Sequence, residues 1–265
     1  MNDLDQYLQN LSTIIAERFQ EAHQTLALRG EGLLSQQLEK LKYAVFYSNP
    51  TETLKPGELY LIGLNPGGSE KDKTGEDISY EKESFKAWQT MKAWYPFGDD
   101  DCGDVSKRTQ LQRRICSLIE ELQKSLPHEL IGTEYVFASN LYFFRTPDQQ
   151  ILKDLLKALP QDLGDCWYFH REFLEKVQPR AILTFGNGDG FSTFTKVCEK
   201  LGGTPEPGER WNGRVRTKYS IIQPFWNRRR IALIGLPHLS RYWFGENRRE
   251  DVVDELRRLI LRCSP

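Results

Sequence analysis

The chain has 265 residues, 39% hydrophobic and 28% charged, with 36 Lys+Arg against 37 Asp+Glu. That length corresponds to one large domain or two small ones, at roughly 100–200 residues per domain, and it supports a core without staples. A 12% aromatic content and a formal net charge of −1 exclude a disordered chain. As a global number, the near-neutral balance also argues against a nucleic-acid binder. No stretch reaches the 18 or so apolar residues that would predict a membrane span, and MNDLDQYLQN is not a secretory leader. A cytoplasmic monomer is expected, nucleoid-associated if the source is bacterial. Cys102, Cys116, Cys166, Cys198 and Cys263 lack the spacing of a disulfide framework, a zinc site or an iron–sulfur cluster. Reduced structural thiols, no metal and no cofactor are the expectation.

In chain order, apolar positions at helical spacing (Leu4, Leu8, Leu11, Ile14, Ile15, Phe19) predict a helix over 4–27, and a second helical stretch is read over 33–45. Residues 1–50 are therefore assigned to a helical N-terminal extension, and residues 51–265 to an α/β/α domain. The breaker pair Pro56-Gly57 precedes a compact apolar run over 59–64, which stops at Asn65-Pro66-Gly67-Gly68. A short apolar run ending in turn residues fits a strand buried on both faces. Runs over 135–141, 181–185 and 231–235 have the same character. Helical patterns lie near 105–126, 165–177, 188–201 and 247–262. Strand–helix alternation predicts a mostly parallel, four-stranded sheet covered by helices, a three-layer α/β/α fold. Ligands in such sheets sit at the carboxyl ends of the strands, beside a topological switch point. Asn65, Asn140, Gly186 and His238 are expected to gather there. Residues 69–104 are polar, and 202–230 read as a hairpin insertion.

Gly63-Leu-Asn-Pro-Gly-Gly-Ser69 has the glycine spacing of a phosphate-binding loop, but Ser69-Glu70 stands where Lys-Ser/Thr would meet phosphate and magnesium. Gly186-Asn-Gly-Asp-Gly190 likewise fails the spacing of a dinucleotide fold. The segment Gly63-Leu-Asn-Pro-Gly67 instead resembles the first motif of the uracil-DNA glycosylase superfamily, closest to its mismatch-specific and single-strand-selective branches. Ser139-Asn-Leu-Tyr-Phe-Phe-Arg145 resembles the strand whose asparagine reads the base edge. Gly235-Leu-Pro-His-Leu-Ser240 resembles the late His-Pro-Ser motif, with Leu239 where its proline would be. The resemblance spans roughly residues 57–245.

It implies a monofunctional DNA glycosylase that hydrolyses the N-glycosidic bond of an extruded uracil or modified pyrimidine and leaves an abasic site. Asn65 would hold the attacking water, and a carboxamide can only orient that water through hydrogen bonds. His238 would donate to the base oxygen as negative charge develops. Gly63, Pro66 and Asn140 would form the base pocket, with Phe97 of Tyr95-Pro-Phe-Gly98 as the stacking aromatic and Tyr80 and Trp94 as rivals. Ser240, Arg241 and Tyr242 would grip phosphate and fill the gap left by the base, since extrusion costs a few kcal/mol. Between Glu209 and Arg249, ten Lys/Arg face two Glu and interleave with tryptophans. Such a surface suits single-stranded or mismatched DNA, and Arg228, Arg229 and Arg230 are its densest run. Two other classes stay open: a non-catalytic nucleic-acid-binding or damage-sensing module of the same fold, and a nucleoside hydrolase.

Overall fold

A computed structural model describes residues 3–32, 34, 43–65, 85–90, 110–126, 136–146, 148–210, 216–224, 230–239, 241 and 246–263. The chain begins with the helix α1 (Asp3–Leu28), which buries Leu8, Leu11, Ile15, Phe19, Ala22 and Leu26. Those residues recur every three or four positions, so they line one stripe of the helix. Ile14, one residue off that stripe, is 44% exposed. The short α2 (Pro50–Thr53) is capped by Asn49 and leads into β1 (Leu59–Gly63). Next come α3 (Phe85–Thr90), α4 (Gln110–Ser125) and β2 (Val136–Asn140). α5 (Gln149–Ala158), α6 (Gln161–Gly164) and α7 (Trp167–Val177) precede β3 (Ala181–Phe185). The chain continues through α8 (Thr193–Leu201), β4 (Glu206–Arg210), β5 (Arg216–Ile222), β6 (Ile231–Leu236) and α9 (Glu246–Leu261).

The strands form a mixed sheet in the order β2-β1-β3-β6-β5-β4. β2, β1, β3 and β6 are parallel, and they occupy the four apolar runs of the sequence. The expected sheet of four strands is nevertheless too small. β4 and β5 add to it, antiparallel to each other and to β6. Burial explains why: Ser220 and Ile222 are buried on one face of β5 and Thr217 on the other, so this strand is covered on both faces, as a member of the sheet is. The helical reading near 33–45 agrees at Leu34, which is helical, and is corrected at its C-terminal end. Residues 43–45 are extended, with Tyr43 bridged to Phe144 and Phe46 to Ser139. Ala44 N donates to Phe143 O at 2.8 Å, and Asn140 N donates to Val45 O at 3.0 Å. The segment thereby satisfies the outer edge of β2, which would otherwise present unpaired backbone groups.

Alternate residues of each strand face opposite layers. Tyr60, Ile62, Phe137, Ile182 and Leu233 share one core with α1, α7 and α8. Leu59, Leu61, Ala138, Leu183 and Ile234 share the other with α4 and α9. Each fully buried Leu, Ile or Phe contributes about 1.5–3 kcal/mol. α1 thus completes a core layer, fastened by a Tyr7 hydroxyl bond to Glu172 at 2.7 Å and by Lys176 over the Tyr7 ring. Cys116, Cys166, Cys198 and Cys263 are buried thiols, and no described helix is long and apolar enough to cross a membrane.

Gly235 is a point of close approach between β6 and α8. A Cβ built there would stand 2.5 Å from Cγ and Cδ2 of Phe194 and 2.8 Å from its Cβ. Phe194 is fully buried and sits at the start of α8, so it cannot swing aside. Gly235→Ala should cost about 1–3 kcal/mol by overpacking, measured by urea unfolding. Part of that loss should return in the Gly235→Ala/Phe194→Ala double variant relative to Phe194→Ala alone. A Gly235→Ala protein as stable as wild type would disprove the contact.

Candidate functional site

Register defines the floor of the site. Ser139, Ile62, Thr184 and Gly235 form one row across β2, β1, β3 and β6. The next residue of each strand is Asn140, Gly63, Phe185 and Leu236, and all four strands end there or within the pairing at that level. β1 and β3 are neighbours whose chains depart to opposite sides, β1 to β2 and β3 to β6. Loops that diverge in this way leave a crevice at the carboxyl ends. Asn65 and His238 each follow their row by two residues, on strands about 10 Å apart by ordinary sheet spacing.

Asn65 is half-buried, and the chain after β2 holds its carboxamide. Its Nδ2 donates to Thr146 Oγ1 at 2.9 Å and to Phe144 O at 3.4 Å. The turn itself is stitched to β1: Leu141 N donates to Gly63 O at 2.7 Å and Tyr142 N to Leu64 O at 2.9 Å. One strand over, Asn140 is fully buried. Its Nδ2 donates to Ala44 O at 3.1 Å, while its Oδ1 is buried with no hydrogen-bond partner. One donor hydrogen is therefore already engaged, so Asn140 offers one donor and one acceptor rather than the two donors and an acceptor of an unattached amide. An unsatisfied buried acceptor costs about 1–3 kcal/mol, and such groups call for an explanation in function. Gly63 lies beside it. A Cβ there would stand 3.2 Å from Asn140 Oδ1 and 3.3 Å from Cε2 of Tyr47, so the missing side chain keeps this corner open.

His238 is exposed just past β6, between buried Pro237 and buried Leu239. Its ring is open to water yet crowded by protein: desolvation, and then the positive charge of Arg241, lower its pKa below the ordinary histidine value. At neutral pH the imidazole is thus uncharged and donates one N–H. The loop is pinned by Arg241 N to His238 O at 2.9 Å and by a guanidinium bond from Arg114 to Leu239 O. Arg241→Ala should raise the His238 pKa, because the cation that opposes protonation is gone. An NMR titration of the imidazole reads this directly, and an unchanged or lower pKa would contradict it.

The described basic residues do not all gather at this end. Arg241 is exposed beside His238. Arg216 opens β5, which runs antiparallel to β6 with Lys218 opposite Gly235, so it too lies at the His238 end. Lys218 is bound to Asp189 at 2.6 Å. Arg230 is different: it precedes Ile231 at the start of β6. A six-residue strand puts it roughly 20 Å from the site. Pro66, Phe97, Tyr80, Trp94, Ser240, Tyr242, Arg228 and Arg229 lie outside the described residues.

A group that the motifs do not include supports the site from below. His170 of α7 is fully buried. Its Nε2 lies 3.0 Å from Leu141 O, and its Nδ1 lies 2.7 Å from the Tyr60 hydroxyl, which is 2.7 Å from Ser139 Oγ. A carbonyl can only accept, so Nε2 carries the proton. Nδ1 then accepts from Tyr60, and Tyr60 from Ser139. Burial pushes the His170 pKa down to about 4, so the ring is a neutral strut under the turn that carries Tyr142 to Thr146. Across the crevice, Tyr142 stacks on Phe191 with centroids 5.8 Å apart and planes 7° apart. Among the described residues no group of His, Cys, Asp and Glu could hold a metal ion.

In comparisons with known proteins, no family model matches the chain and no curated sequence matches it significantly.

Proposed function

We propose that this protein is a monofunctional DNA glycosylase of the uracil-DNA glycosylase type, acting on an extruded uracil or modified pyrimidine in single-stranded or mismatched DNA. The observation that carries the reading is the pair of asparagines on adjacent strand ends. Asn65 is clamped through its nitrogen, and Asn140 keeps a buried, unsatisfied carboxamide oxygen beside the side-chain-free Gly63. A pyrimidine edge bearing an N–H next to a carbonyl oxygen satisfies the Asn140 acceptor and its remaining donor.

In the reaction, a water held by Asn65 adds its oxygen to the sugar C1′. The C1′–N bond breaks with its electron pair on the base, and the water proton passes to solvent. His238, neutral at pH 7 because its pKa is lowered, donates a hydrogen bond to the base oxygen as charge develops. Asn65 and His238 need not touch, because they serve opposite ends of the nucleoside. The slower asparagine chemistry calls for a good leaving base and little unpairing cost, which favours uracil in single strands or mismatches.

Labelled single-stranded and mismatched duplex oligonucleotides carrying uracil, incubated with the protein and then treated with alkali, test this reading. Strand breaks at the uracil are expected. Salt-sensitive binding without breaks would replace the enzyme with a binding module of the same fold. Base release from mononucleosides alone would favour a nucleoside hydrolase.

A further inference from the structure

We infer that Ser139, Tyr60 and His170 are positioning residues for Asn140, an inference that rests on the reading of Asn140 as the group that meets the base edge. Their hydrogen bonds begin on the residue before Asn140 and end on the residue after it. Ser139 and Asn140 are consecutive in β2, so their side chains leave opposite faces of the sheet. On the Ser139 face, Tyr60 and His170 are fully buried. Chemistry fixes the direction of each bond. Leu141 O, 3.0 Å from His170 Nε2, can only accept, so Nδ1 is left as an acceptor. The Tyr60 hydroxyl commits its one hydrogen to Nδ1 at 2.7 Å and accepts from Ser139 Oγ at 2.7 Å.

Leu141 lies one residue past the end of β2, so its carbonyl is outside the strand ladder and takes its hydrogen bond from His170. The Asn140 carbonyl acts on the same ring. Burial, the largest influence, pushes the His170 pKa down, while the carbonyls of Leu141 and Asn140 and the charge of Asp165 oppose it. The lateral bonds of Asn140 have a different effect. Its N–H donates to Val45 O at 3.0 Å and its Nδ2 to Ala44 O at 3.1 Å, both within the segment along the edge of β2. Those bonds hold Asn140 in the plane of the sheet. The chain through Tyr60 and His170 holds the residues on both sides of it against rotation out of that plane. The buried Oδ1 is thereby kept in place with the remaining N–H, and hydrogen bonds to a base edge weaken steeply when donor and acceptor are misaligned.

Tyr60→Phe removes the middle link at nearly constant shape, and His170→Leu removes the last one. His170→Gln keeps a donor and an acceptor. In single-turnover excision from a uracil oligonucleotide, Tyr60→Phe and His170→Leu should each react about 10-fold more slowly, within the range for a group misplaced from a distance. His170→Gln should recover most of the rate. The Tyr60→Phe loss should vanish in an Asn140→Ala background, where no base-reading amide is left to misplace. An equal loss in that background, or a fully active Tyr60→Phe protein, would overturn the inference. Hydrogen exchange read by NMR needs no activity. The side-chain amide of Asn140 should exchange faster in Tyr60→Phe than in wild type, by a larger factor than the backbone amide of Leu183 in the core of β3. An equal factor at both sites would show general loosening and overturn the positioning role. A wild type that releases no base would overturn the reading of Asn140, and the exchange ratio then decides the positioning role by itself.

Discussion

Between pH 6.5 and pH 4 the protein should lose about 3 kcal/mol of folding stability through His170 alone. The unfolded histidine titrates near 6.5, and burial lowers the folded value to about 4. In that interval the unfolded chain binds a proton that the native state refuses, so unfolding is favoured as the pH falls. The contribution is fully present above pH 6.5 and is exhausted below pH 4. Protonation would also put a second donor at Nδ1, opposite the Tyr60 hydroxyl that now donates to it. Urea unfolding at pH 7, 5 and 4 measures the loss. His170→Gln can reproduce both hydrogen bonds without a titrating ring, and it should flatten the profile by the same amount. Equal pH slopes in the two proteins would show that His170 is not the group responsible.

Asn65→Ala and His238→Ala should each slow base release by about 10²–10³-fold, the usual loss when one preorganised polar group leaves a transition state. The two act on one bond-breaking event, so the double variant should fall well short of the product of the single losses. Neither change should unfold the protein. His238 is exposed and Asn65 is half-buried, and neither belongs to the two apolar cores. Oligonucleotide affinity should change far less than rate. A large drop in binding with an unchanged single-turnover rate would reassign both residues to DNA contact.

The four parallel strands were legible because each is a short apolar run between breakers, as in Leu59–Gly63 after Pro56-Gly57. Their carboxyl ends, and with them Asn65, Asn140 and His238, followed from strand–helix alternation. The two further strands were harder to read: Arg216–Ile222 alternates as a hairpin does, but alternation does not say whether a hairpin stands apart or joins the sheet. Tyr43 read as the end of a helical stretch, whereas its place was decided by the open edge of β2. Arg230 is eight residues from His238 in sequence, and a single strand carries it to the opposite end of the sheet. His170 and Thr146 left no local signal. Their partners are Tyr60, 110 residues away, and Asn65, 81 residues away, and contacts of that range come only from the folded sheet.

The most direct test of the central claim is mass spectrometry of the products formed from a uracil-containing single strand. Free uracil and an intact strand with an abasic site, in equal amounts and lost together in the Asn65→Ala/His238→Ala variant, are the predicted result. An unaltered strand after prolonged incubation with folded wild-type protein, or equal uracil release by the double variant, would contradict it.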